Sequence, residues 1–491
     1  MPYSNQSFTQ CVWFREDLRT QDHQGLIQAI QQAKIENSGC LAVYILTPKT
    51  WQKHDKSLIQ LNLVLEKLRE LAIKLSKLNI PLKILKLETF EQVPKALKAF
   101  AEKFQIKNIY ASRYYGWDER VRDQACEKLL KSIGVKITFR HGFVVFKPED
   151  VLKADGTPYQ VFTPYKRAWI QKFLSVDLSE KNHAGNLVKL EASGEVSDLI
   201  PDFMGELEVQ KMHQDWALTE EEIHQELKKF LHEQVLDYKN QRDFPSIDEG
   251  TSRLSPYLSQ GMISPKQILK ALMLEYLDET KGDFLKLLAK PGIETFVGEL
   301  IWRDFYQMIL FHYPQVSKHQ PFKLKTNQIP WTSGAEGKAL FKAWCEGKTG
   351  FPIVDAAMRC LNQTGFMHNR LRMVTAMFLS KLLLLDWRWG EAYFMENLID
   401  GELGANNGGW QWCASTGTDA VPYFRIFNPT SQSEKFDSEG EFIRQYLPEL
   451  KTLSAKQIHN PDLASREKLN YPKPIIDYRA QRARALKLFA V

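Results

Sequence analysis

Leu41-Ala-Val-Tyr-Ile-Leu46, Leu58-Ile-Gln-Leu-Asn-Leu-Val-Leu-Glu-Lys-Leu-Arg-Glu-Leu-Ala-Ile-Lys-Leu-Ser-Lys-Leu78 and Leu82-Lys-Ile-Leu85 follow one another within a single stretch. The outer two are short, apolar and partly β-branched, as strands are. The middle one carries apolar residues at three- and four-residue spacing with Lys, Glu and Arg on the other face, as an amphipathic helix does. Cys11-Val-Trp-Phe14 and Ile109-Tyr-Ala-Ser112 extend the same rhythm on either side. Strand and helix alternating in this way predict βαβ units around a parallel sheet, an α/β, Rossmann-like domain over residues 8–145. No G-x-G-x-x-G follows any of these strands, so a dinucleotide site has no support here and the sheet is free to serve another ligand.

From 146 to 215 the chain is polar and irregular, punctuated by Gly156-Thr-Pro158, Thr163-Pro164, Gly194 and Pro201, and reads as an interdomain connection. From 216 to 491 helical patterns dominate, with stops at Gly261, Pro291-Gly292, Pro314 and Gly390, so the second domain is expected to be all helical. A chain of 491 residues with 44% hydrophobic and 25% charged residues is neither disordered nor fibrous. Lys381 breaks the longest apolar run, Met377 to Leu385, far short of the roughly 18 residues a membrane span needs. Met1 to Arg15 has no apolar signal region, so the expected compartment is the cytoplasm, at the nucleoid. The six cysteines form no C-x-x-C pair, which argues for reduced thiols and against zinc. A net charge of +6 biases the chain mildly toward polyanions, and seven of twelve tryptophans lie between Trp302 and Trp412.

Four segments could carry chemistry. Gly250-Thr-Ser-Arg-Leu-Ser-Pro256 reads as a turn, hydroxyl caps and a helix start, suited to phosphate or simply to capping. Glu299, Trp302, Arg303 and Tyr306 share one helix face; Glu299 and Arg303 could also be an ordinary i, i+4 ion pair, with Trp302 as core. Every charge from Ala356 to Leu385 is positive, so Arg370 and Arg372 need anions, either a ligand's or those of acids elsewhere; Asp400 is a candidate partner. Leu403 to Thr418 has no charge and four glycines, too apolar for a solvated loop and too glycine-rich for a routine helix. Glycine there would let backbone approach a flat ligand or make a tight packing corner. Gly347-Lys-Thr lacks the glycine a P-loop needs, since Lys342 stands there.

With those residues in view the sequence resembles the photolyase/cryptochrome family, and within it a bacterial class I cyclobutane pyrimidine dimer photolyase. The resemblance covers nearly the whole chain through Trp13-Phe-Arg-Glu-Asp-Leu-Arg19, Gly250-Thr-Ser-Arg-Leu-Ser255, Glu299-Leu-Ile-Trp-Arg303, Gly347 to Arg359, Met367-His-Asn-Arg-Leu-Arg-Met373 and Asn406-Asn-Gly-Gly-Trp-Gln-Trp-Cys-Ala-Ser-Thr-Gly-Thr-Asp419. It implies an antenna domain joined to an all-α domain that binds FAD. Tyr238, Thr251, Ser252, Arg253, Leu254 and Ser255 would hold the cofactor's diphosphate and ribityl region, with Arg303 also at the cofactor. Arg372 and Asp400 would pair beside the flavin ring, Glu402 nearby, and Asn406 would face flavin N5. The implied reaction is light-driven repair: excited reduced FAD passes one electron to a flipped-out dimer, the cyclobutane bonds split, and the electron returns. Photolyases are among the base-flipping enzymes.

The resemblance also places Trp302 and Trp412 against the flipped bases, Glu299 at their polar edge, and Asn369 and Met373 in the rest of the pocket. Arg242, Arg370, Arg425 and Gln432 would contact DNA, single- or double-stranded. Trp410, Trp387 and Trp331 match an electron-hopping chain that reduces the flavin. His54, Asp118, Glu119 and Lys318 match a 5,10-methenyltetrahydrofolate antenna site, with a deazaflavin or no antenna as alternatives. Asp118 replaces the commoner asparagine, Glu402 the usual aspartate, and Cys413 a small apolar residue. The protein is expected to act as a monomer. The rival readings are a (6-4) photolyase, which would have histidines at the positions of Asn369 and Met373, and a cryptochrome photoreceptor without repair activity, which tends to carry an acid or a cysteine where Asn406 stands.

Overall fold

A computed structural model of the chain describes residues 7–176, 187–191, 194–202 and 216–489. Five parallel strands, β1 Phe8–Phe14, β2 Gly39–Leu46, β3 Leu82–Lys86, β4 Asn108–Ser112 and β5 Lys136–Arg140, form one sheet in the order β3-β2-β1-β4-β5. β1 and β2 are buried along their whole length, as central strands of a doubly covered sheet must be. Their period of two divides the core. Val12, Phe14, Ala42 and Tyr44 face Leu26 and Ile30 of helix Gln24–Ile35 and Leu61 and Leu68 of helix Leu58–Lys77. Cys11, Trp13, Val43 and Ile109 face Leu97 and Leu130 of helices Val93–Phe104 and Trp117–Lys131 on the other side. The α/β expectation holds; β5, whose Lys-Ile-Thr-Phe-Arg carries little apolar signal, had not been distinguished.

Residues 162–173 correct the picture of an irregular connection, because Phe162–Phe173 is a helix. Pro164 falls in its first turn, where the missing N–H has no intrahelical acceptor anyway, so the Thr-Pro punctuation does not break it. This helix packs on the long helix Pro291–His312. Phe162 stacks on Trp302, ring centres 3.7 Å apart and 6° from parallel, and the Trp169 indole N–H donates to Asp304 at 2.9 Å. Residues 177–186, 192–193 and 203–215 of the expected connection lie outside the described residues.

Among the described residues after 215 there is no strand, as expected. The two halves meet along a polar seam. Arg19, 1% exposed, donates to the carbonyls of Gly261 and Gly142, and Glu220 accepts the backbone N–H groups of Thr20 and Gln21. The Trp13–Arg19 motif is therefore structural here: Arg15 pairs with Asp123 at 2.8 Å and lies over the Trp13 ring, and Asp17 meets His23 at 3.0 Å. Among the described residues no helix is long and apolar enough to cross a membrane, and no cluster of His, Cys, Asp and Glu could hold a metal.

Candidate active site

The glycine-rich segment is a regular helix, Leu403–Cys413, correcting the expectation of irregular backbone. Its glycines serve helix packing more than ligand approach. A Cβ on Gly408 would lie 2.3 Å from the Tyr306 ring, and one on Gly404 3.0 Å from the Gln307 amide. Both partners belong to helix Pro291–His312, so those helices cross closely only because no side chain intervenes. Gly409 meets nothing within 4 Å. Ala405 is exposed and Gly409 and Trp412 partly so, and they share the less packed side of Leu403–Cys413, with Asn406 at its edge.

Asn406 is held by its amide: Nδ2 donates to the Glu391 carbonyl at 2.9 Å, which leaves Oδ1 as a directed acceptor. Asn407 donates to the buried Glu391 carboxylate at 2.7 Å and accepts from Gln411, locking this helix to helix Trp387–Asn397. Glu391 is a supporting residue that the sequence reading missed; it carries no motif signal.

The face of Pro291–His312 divides its partners. Glu299 pairs with Arg242, not with Arg303, so the ordinary intrahelical ion pair is overturned. Arg303 instead meets Glu402 at 3.1 Å and the Phe143 and Leu258 carbonyls, and Gln307 donates to the same Glu402. Glutamate, one methylene longer than the expected aspartate, reaches both. Arg372 Nη2 spans both oxygens of buried Asp400 at 2.8 and 3.0 Å, the pairing anticipated from the run of unopposed cations. Arg370 finds Asp243 at 2.7 Å and lies over Phe436, a partner not foreseen. Arg242 and Arg370, both candidate DNA contacts, are thus each paired with an acid of this chain. Between them, His368 caps helix Asn369–Met377, and burial pushes its imidazole down to about 4, so it is neutral. Asn369 is exposed, while Met373 lies against the Cys413 end of the glycine-rich helix, its carbonyl 3.9 Å from Cys413 Sγ.

At Gly250–Ser255 the expected capping fails. Leu254 stands at the N-cap of the short helix Ser255–Ser259 without any side-chain cap, and Arg253 is held at φ +51°, a strained conformation for a residue with a β-carbon. The hydroxyls of Thr251, Ser252 and Ser255 make no hydrogen bond among the described residues. Tyr238, largely buried, sits on Phe296 and close to Arg242. Unspent hydroxyls, a left-handed arginine and the Arg372–Asp400 pair suit an anionic, ring-bearing cofactor.

Trp410 and Trp387 are 2% and 1% exposed, and Trp331 is half-buried against Phe489. The outer edge of the Trp410 indole abuts Gly390, one turn beyond Trp387, where a Cβ would fall 2.0 Å from it. Thr332, next to Trp331, bonds Leu384 just before that helix. Arg425 is exposed on a segment whose carbonyls at 423 and 425 accept from the buried Lys381 ammonium, which burial lowers to about 8. Gln432 presents a buried amide oxygen with no partner among the described residues.

Between the halves lies a cavity of about 320 Å³, and all four antenna candidates line it. His54 meets Asp118 at 3.0 Å and Glu119 at 3.7 Å, and the Lys318 ammonium sits 3.4 Å from the Trp117 ring centre. Burial would raise the Asp118 carboxyl, but hydrogen bonds from His54 and Lys53 outweigh it and hold it below its ordinary value. Glu402 and Leu403 form the opposite wall.

Residues 10–186 match the family described as DNA photolyase, and residues 296–491 the FAD binding domain of DNA photolyase. Over 97% of its length the chain is 41% identical to the deoxyribodipyrimidine photo-lyase of Vibrio cholerae, covering 98% of that protein. The chain belongs to the DNA photolyase family. The deoxyribodipyrimidine photo-lyase of Escherichia coli is 40% identical, with 98% of both chains covered. Among solved structures, a bacterial class III photolyase from Agrobacterium tumefaciens superimposes with a TM-score of 0.84 at 30% identity, covering 100% of this chain and 98% of that one. A Synechocystis cryptochrome superimposes with a TM-score of 0.82 at 26% identity, covering 98% and 99%. The fold is thus shared by structures named photolyase and cryptochrome, so fold alone does not decide between them.

Proposed function

We propose that this chain is a light-driven carbon–carbon lyase that splits cyclobutane pyrimidine dimers in ultraviolet-damaged DNA. The observation that carries this reading is helix Leu403–Cys413, which holds an oriented amide acceptor, Asn406, at the edge of the partly exposed side that carries the Trp412 indole. The near-full-length match to named photo-lyases supports it. Reduced FAD, when bound, supplies a photoexcitable one-electron donor. The chain's own residues do the rest. Thr251, Ser252, Arg253, Leu254 and Ser255, with Tyr238 and Arg303, would hold the cofactor, with Arg372–Asp400 and Glu402 beside its ring, and Asn406 Oδ1 would accept a hydrogen bond from it without adding charge. Trp302, backed by Phe162, offers its free face to a flipped base, with Trp412, Met373 and Asn369 completing the pocket. Glu299 meets the lesion's polar edge by sharing or releasing Arg242, and Arg242, Arg370, Arg425 and Gln432 contact the strand.

For the antenna, a 5,10-methenyltetrahydrofolate is favoured over a deazaflavin. The 320 Å³ cavity brings all four antenna candidates together beside the Trp117 ring, where a bicyclic pterin would be held. A second crevice, at the C-terminal ends of β1, β2 and β4 where open sheets usually hold ligands, is lined by Trp13, Arg15, Tyr114 and Arg122 and shares His54 and Glu119 with it. The proposed setting is a cytoplasmic, nucleoid-associated monomer acting on single- or double-stranded DNA.

The test is to illuminate the prereduced protein with a dimer-containing oligothymidine. Thymine absorbance should recover in light and not in the dark; bound flavin without recovery would assign a photosensor instead. Trp331→Phe is expected to slow photoreduction of the oxidised protein at least tenfold, on the order of one lost hopping site, while repair by prereduced enzyme is unchanged. Collapse of repair in that variant would remove Trp331 from the hopping chain.

A further inference from the structure

The loop between helices Trp387–Asn397 and Leu403–Cys413 holds Asp400, and it is gripped from the other half of the molecule. Gln60, 1% exposed on helix Leu58–Lys77, donates through Nε2 to the carbonyls on both sides of Asp400, Ile399 at 3.2 Å and Gly401 at 2.8 Å. Ser57, the N-cap of the same helix, donates its hydroxyl to the Leu398 carbonyl at 2.6 Å. The helix is a shared wall: Ile59 and Leu63 join the core of the helical half while Leu61 and Leu68 join that of the sheet. Gln60 is buried and its Oε1 has no partner among the described residues, and leaving a buried acceptor unpaired costs about 1–3 kcal/mol. A leucine would avoid that cost, so the amide is retained for its two donated bonds.

We propose that Gln60, supported by Ser57, is a positioning residue for the flavin site: the antenna half fixes the Asp400 carboxylate so that Arg372 meets it squarely. With the carbonyls on both flanks held, the backbone that carries Asp400 cannot shift away from Arg372 without breaking two interdomain bonds. The claim rests on the reading that the Arg372–Asp400 pair lies beside the flavin ring. It makes the N-terminal half part of the cofactor site, independently of any antenna chromophore.

A double-mutant cycle on FAD affinity of the reconstituted full-length protein tests it. Gln60→Leu should weaken FAD binding about tenfold in the parent, equivalent to about 1.4 kcal/mol, and less than about twofold in an Asp400→Asn background. The visible band structure of bound FAD should blur in Gln60→Leu but not change further in the double variant. Gln60→Met keeps an unbranched side chain of similar length and loses both donors, so it must repeat the pattern and carries the test if the leucine variant does not fold. Equal losses in both backgrounds, or no loss in either, would overturn the proposal. If the parent bound no FAD, the flavin-site reading would fall, and this inference with it.

Discussion

Asn406→Asp is expected to destabilise the reduced, anionic flavin and to cut repair by at least a hundredfold. In the parent, the Asn406 amide donates to the Glu391 carbonyl, which leaves its neutral oxygen for the proposed flavin. A carboxyl at this position sets an acceptor against that carbonyl and loses the 2.9 Å bond. Two like charges about 4 Å apart interact by about 4 kcal/mol at an effective dielectric constant near 20, which dominates the lost hydrogen bond. The check is the reoxidation rate of the reduced flavin with repair yield beside it. An unchanged lifetime and yield would remove Asn406 from the flavin.

Trp302→Ala is expected to reduce discrimination between dimer-containing and intact oligonucleotides by about 1–3 kcal/mol, the range of one base–aromatic stack. One face of Trp302 is already covered by Phe162, so only the other is available, and the loss measures that face. Trp302→Phe should keep part of the preference. Competition binding with both oligonucleotides gives the ratio directly. Equal ratios in variant and parent would reject the placement of Trp302 at the lesion.

The sheet was legible because burial on both faces forces short, continuous apolar strands, and Leu58–Leu78 shows its helical period plainly. What was misread depended on contacts between distant segments. The four glycines of Leu403–Thr418 look helix-breaking until Tyr306 and Gln307 are seen to fill the space at Gly408 and Gly404. Phe162–Phe173 was hidden by a proline that happens to lie in its first turn. The i, i+4 rule paired Glu299 with Arg303, but Arg242, 57 residues earlier, supplies the partner. Arg372 and Asp400 were matched across 28 residues because a run of cations without acids must find anions elsewhere. Gln60 could not be found from sequence: a single glutamine on a leucine-rich helix gives no sign that its donors cross to another domain.

The central claim is that a reduced flavin in the helical half lies close enough to an extruded dimer for one electron to pass between them. The most direct measurement is the fluorescence lifetime of the bound, reduced flavin with and without substrate. A dimer-containing oligonucleotide should shorten it, an undamaged one of the same sequence should not, and Trp302→Ala should blunt the effect at a fixed concentration. A lifetime that is the same with damaged, undamaged and no DNA, at saturating binding, would contradict it.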